Sequence, residues 1–131
     1  MTPERWLTAA DEMLRGAGAA GTAAITGGWW PKACACLIRL ALESGLDTYW
    51  RRVKPEVAQC RTGRTRLLML RARYGPGPDV ARRAHFAWAT LSRAMHHHCY
   101  DTPLTAAELR SLHAEVTDLL TRLREPGHDC G

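Results

Sequence analysis

Residues 33–46 read ACACLIRLALESGL, and the apolar run is broken mainly by Arg39, Glu43 and Ser44. A segment apolar on every side of a 3.6-residue repeat is a helix surrounded by other helices, not one lying on a surface. Trp30-Pro31 precedes it, and proline suits the first turn of a helix because its missing N–H is not needed there. Arg39 and Glu43 stand four apart, so the two charges are expected to pair across one turn.

A central helix needs covering, and the flanking sequence offers helices for the purpose. Pro3 and Glu4 open the first, with Trp6, Ala10 and Met13 on one stripe. The Gly- and Ala-rich stretch GAGAAGTAAITGG, residues 16–28, is expected to be a loop. Pro55 marks a break, and Arg64 to Tyr74 predicts a shorter helix that ends at the turn GPGPD, residues 75–79. From about Asp79 the spacing of Val80, Ala84, Trp88, Leu91 and Met95 predicts another helix, with Arg82 and Arg83 off its apolar stripe. After Pro103, Thr105-Ala-Ala-Glu108 is a capping box, and Leu109, Leu112, Val116, Leu119 and Leu123 form the cleanest stripe in the chain. No segment alternates with period two for long enough to be a strand. The expectation is an all-α fold, an antiparallel bundle of four to five helices, with residues 1–125 as one domain and 126–131 as a frayed tail.

Composition narrows the setting. The chain has 131 residues, 46% of them apolar, and five tryptophans, which suits one folded domain and not a disordered segment. It contains no run of 18 apolar residues and no basic start leading into an apolar stretch, so the expected location is the cytoplasm, with no membrane partner. Five irregularly spaced cysteines fit neither a disulfide framework nor a zinc knuckle, and buried free thiols are expected. The net charge of +5 is unevenly distributed: −1 over residues 1–50, +9 over residues 51–93 and −3 over residues 94–131. Nearly all the positive charge of the middle third is arginine, whose planar fork of donors suits phosphate.

Where that basic third ends lies SRAMHHHCYDTP, residues 92–103. Three consecutive histidines on a helix point in three directions, whereas zinc requires four ligands arranged tetrahedrally. No metal or other cofactor is therefore expected. On a straight helix Arg93 and His98 stand about 140° apart. They converge at one mouth if the helix unwinds near His97, and Pro103 favours an early stop.

Arg93, four residues, His98, Cys99 and Tyr100 resemble the R-x(4)-H-x-Y signature of the HEPN superfamily, specifically its HepT-like toxins. The apolar stretch ACLIRLALESGLDTYW is similar to the long central helix of that bundle. YDTPLTAAEL is similar to the proline and capped final helix that follow the motif. The resemblance spans roughly residues 4–124. It implies a HEPN-like bundle and a metal-independent ribonuclease, a homodimer whose two motifs face each other across a basic cleft. It also implies roles for individual residues. Arg93 stabilises the charged transition state, and His98 is the general acid or base around the ribose 2′-OH. Tyr100 is the position where a partner nucleotidyltransferase antitoxin attaches AMP. One position departs from the pattern: active members commonly carry a polar residue directly after the arginine, where this chain has Ala94. Either catalysis is weakened, or His97 or His96 supplies the orienting contact.

Arg82 and Arg83, about three turns before the motif, are expected to contact RNA phosphates. The alternative to a nuclease is a non-catalytic HEPN module that binds RNA, nucleotide or a protein partner. A helical interaction domain with no nucleic-acid role is the third reading, and there Arg93 merely caps its helix.

Overall fold

None of residues 33–46 is exposed in the computed structural model, which describes residues 2–19, 30–60, 62–74, 79–95 and 104–124. The described residues form six helices: α1 (Pro3–Ala19), α2 (Trp30–Val53), α3 (Pro55–Ala58), α4 (Gly63–Tyr74), α5 (Asp79–Met95) and α6 (Ala106–Arg124). Among the described residues there is no strand, and no helix is long and apolar enough to cross a membrane. The all-α expectation holds, with five longer helices and one single turn, α3.

Helix α2 packs against α1, α5 and α6, and α4 lies against α5. Its buried positions, among them Cys34, Ile38, Leu42, Leu46 and Trp50, recur at three and four residues along all 24 residues of the helix. The helix runs seven residues past the apolar stretch because Tyr49 and Trp50 continue the buried face while Arg51 and Arg52 turn to solvent. The break expected at Pro55 is narrower than proline usually makes it. Lys54 alone interrupts the helix, and Pro55 opens the single turn of α3.

Side-chain contacts give the helix directions. Cys34 Sγ donates to the Ala10 carbonyl at 3.8 Å, and the Arg110 guanidinium donates to the Leu14 carbonyl at 3.2 Å. Arg124 at the end of α6 pairs with Glu4 at the start of α1, so α1 runs opposite to α6, and it runs opposite to α2, whose end meets the same end of α6. Gly63, at the start of α4, lies against the Trp88 ring far along α5, so α4 and α5 are also antiparallel. Helices α2 and α6 are parallel, and Arg52 near the end of one donates to the carbonyls of Leu123 at 2.7 Å and Arg124 at 3.4 Å at the end of the other. A cation there meets the negative end of the helix dipole and carbonyls left without an intrahelical donor.

Two local expectations meet the structure directly. The capping box closes reciprocally: the Glu108 N–H donates to Thr105 Oγ1, and the Thr105 N–H to Glu108 Oε1, both at 3.1 Å. In contrast, Gly16, Ala17, Gly18 and Ala19, expected to belong to a loop, continue α1, and the rest of that expected loop lies outside the described residues. Each glycine costs about 1 kcal/mol in a helix, and packing of α1 on α2 and α6 around buried Leu14 offsets it. Among the described cysteines, Cys34, Cys36 and Cys60 are free, and burial pushes the Cys34 thiol up to about 11, which keeps it protonated and inert.

Close approach of α2 to α6 depends on Gly45, where a Cβ would collide with Leu120 Cδ2. Gly45→Ala is expected to lower stability in denaturant unfolding, because overpacking costs about 1–3 kcal/mol against a helix gain of about 1 kcal/mol. In a Leu120→Ala background the same change is expected to stabilise by up to about 1 kcal/mol. Equal effects in both backgrounds would show that Leu120 does not set this distance.

Candidate functional site

Arg93 is exposed on the last turn of α5, two residues before Met95. His96, His97, His98, Cys99 and Tyr100 lie outside the described residues. Ala94 is half-buried and packs against the core, which gives a physical reason for a small apolar residue at that position. Arg82 is exposed on the same helix, 11 residues earlier and about 16 Å along the axis. A separation of 11 residues is close to three whole turns, so Arg82 and Arg93 stand on one side of α5.

Arg83 points elsewhere. Its Nε donates to Glu115 Oε1, and its Nη2 donates to Asp118 Oδ2 at 2.7 Å, both acceptors on α6. Arg122 donates to the same Asp118 oxygen at 3.0 Å. These bonds raise the Arg83 pKa further above its ordinary value, and the bonds from Arg83 and then Arg122 hold the Asp118 carboxyl below the usual carboxylate range. The Arg83 fork thus joins α5 to α6, and of the two expected phosphate contacts only Arg82 makes no ion pair among the described residues.

Beneath the end of α5 lies a polar cluster that the sequence foreshadows in part. The anticipated pair is present, with Arg39 Nε donating to Glu43 Oε1 at 2.7 Å. The same carboxylate oxygen accepts from Trp88 Nε1 at 3.1 Å. Arg39 also lies over the Trp88 ring, 5.6 Å from its centroid, and its Nη1 is 3.3 Å from Met95 Sδ. Both charged side chains are about a quarter exposed. One carboxylate of the central helix therefore satisfies a cation and an indole N–H, and through them anchors the last turns of α5. Trp88 was readable as a core residue. Its need for an acceptor, general to a buried indole, was the signal that tied it to the only carboxylate within residues 33–46.

No protein-family model, curated protein or solved structure matches the chain. An exposed guanidinium held at a fixed height at the end of a helix is suited to stabilising an anion. Arg82 on the same side of α5, and Arg64 and Arg71 on α4, are exposed as well.

Two outcomes are expected. Glu43→Leu leaves the Arg39 and Trp88 donors without their shared acceptor and should cost about 1–3 kcal/mol in chemical denaturation. Glu43→Gln, which retains an acceptor oxygen, should cost less, and equal losses would remove the acceptor role. The second concerns pH. A carboxyl depressed in the folded state contributes stability above its unfolded pKa of about 3.9, and this is lost as pH falls through the folded value. Asp118→Asn should therefore lower the melting temperature at neutral pH, with the difference from wild type shrinking as the solution is acidified below the carboxylate range. A difference independent of pH would exclude the charge.

Proposed function

We propose that this chain is a metal-independent endoribonuclease of HEPN type, a toxin or defence effector that cleaves RNA at a composite site made by two copies. The observation that carries the reading is the spacing of Arg93, His98 and Tyr100 in the sequence, together with the exposure of Arg93 on the last turn of α5. The all-helical architecture and the basic middle third are compatible with it.

In this reading His98 accepts the proton of a ribose 2′-OH, and an imidazole that ordinarily titrates near pH 6.5 is matched to that work. The 2′ oxygen attacks the adjacent phosphorus, the bond to the 5′ oxygen breaks, and the leaving oxygen takes up a proton. The products are a 2′,3′-cyclic phosphate and a 5′-hydroxyl. Arg93 stabilises the charge that develops on the phosphorane, a task for a preorganised donor that is always charged. His97 is the candidate for the orienting contact absent at Ala94. Tyr100 is the position for AMP attachment by a nucleotidyltransferase antitoxin, which silences the site.

A second reading, a HEPN module that binds RNA, nucleotide or a protein partner without cleaving it, is favoured by one observation. Ala94 packs against the core where active members commonly carry a polar side chain.

Cleavage of mixed tRNA and mRNA in EDTA separates the two. Wild type should cleave, and His98→Ala and Arg93→Ala should each lose roughly 100-fold or more, the usual contribution of a general acid–base group or of an oxyanion donor. Absence of cleavage by an unmodified dimer would select the binding module. Cleavage undiminished in both variants would remove these residues from the site.

A further inference from the structure

Opposite its buried face, α5 carries a line of side chains that no helix covers. Val80, Ala84, Ala87 and Leu91 are buried, while Arg82, Phe86 and Arg93 are exposed and fall within about 40° of one another around the axis. Phe86 is 65% exposed. A phenylalanine contributes most to stability when removed from water, and no helix among the described residues covers this ring. Among the described residues only Leu68 and Met69, both on the adjacent α4, join it as large apolar side chains open to solvent.

The surroundings of the ring select the kind of partner. Arg82 lies one turn before Phe86, about 6 Å along the axis, and Arg93 lies about two turns after it, about 10 Å away. No acidic residue occurs between Arg82 and Arg93. Neither of these arginines makes an ion pair among the described residues, unlike Arg83 between them, which is held by Glu115 and Asp118. Arg64 and Arg71, also exposed, lie on α4, the helix packed against α5. An open aromatic face between unpaired guanidiniums matches a chain of alternating flat rings and negative charges. A duplex hides its ring faces in its own stack; a single strand offers both.

We infer that the outward line of α5 is a docking track for single-stranded RNA: a base stacks on Phe86, Arg82 holds a backbone phosphate, and the strand runs on to Arg93. The inference deepens the nuclease reading and rests on it for the direction of the strand. Phe86 here is a binding residue and takes no part in the chemistry.

The test uses the full chain carrying His98→Ala, so that RNA survives, with fluorescein-labelled oligoadenylate followed by anisotropy in EDTA over a range of NaCl concentrations. Phe86→Ala should weaken binding roughly tenfold or more, the usual loss of one stacked base, with the salt slope unchanged. Phe86→Trp should retain affinity. Arg82→Gln should flatten the log–log salt dependence by about 0.7, the contribution of one phosphate on a single strand. The same oligonucleotide annealed to oligouridylate should bind less tightly and show little response to Phe86→Ala.

Unchanged affinity of a folded Phe86→Ala variant would overturn the inference. So would conversion of a dimer to a monomer by that substitution, read by light scattering, because the ring would then belong to an interface between copies. Binding that depends on Phe86 without cleavage by wild type would discard the nuclease and keep the track. Cleavage with binding indifferent to Phe86 would do the reverse.

Discussion

A carboxylate on the central helix, α2, is the constraint around which this bundle is arranged. Glu43 keeps about a quarter of its side chain in water, and an ionised group that has lost the rest is stabilised by charge and hydrogen-bond partners. Arg39 and Trp88 provide them. Since Trp88 belongs to α5 and Gly63 of α4 rests against its ring, the requirement of one side chain fixes how three helices meet. The same cluster reaches Met95 through Arg39, so the last turn of α5, and with it Arg93, is held at a definite place relative to α2.

Among the described arginines of the basic middle third, some bond within the fold and others make no ion pair. Arg52 caps α6, Arg66 donates to the Ala58 carbonyl at 2.7 Å and lies 3.4 Å from Asp47, and Arg83 clamps α6. These spend their donors on the fold. Arg64, Arg71, Arg82 and Arg93 face solvent. Formal charge along the sequence counts both alike, whereas an arginine held by a carboxylate, as Arg66 and Arg83 are, offers less field to an anionic partner than an unpaired one. The +9 of residues 51–93 therefore overstates the charge on offer.

Local signals were legible wherever the physics is local. The capping box needs only Thr105 and Glu108 three apart, and the Arg39–Glu43 pair needs only one turn, so both could be read from spacing. The apolar stripes of α5 and α6 were equally plain. Less legible was the continuation of α1 through two glycines, because intrinsic preference argues for a loop and only packing around Leu14 argues for helix. The end of α2 was obscured for a similar reason: proline at 55 signals a stop, yet it also suits the first turn of a new helix.

For the candidate site, the residue types and their spacing were visible in Arg93, His98 and Tyr100, since a motif is a sequence property. Arg82 and Arg83 looked equivalent there, adjacent and both off the apolar stripe. Adjacent residues on a helix point about 100° apart, and only the placement of α6 determines that one of them meets Glu115 and Asp118 while the other meets water. The exposure of Phe86 is of the same kind. Sequence by itself determined the helical class, the central position of residues 33–46 and the chemistry gathered after Arg93, because periodicity and spacing act within a few turns. Tertiary structure alone decided which arginines are spent, which ring is left uncovered and which carboxylate joins α2 to α5, because each depends on helices far apart in the chain meeting across a shared face.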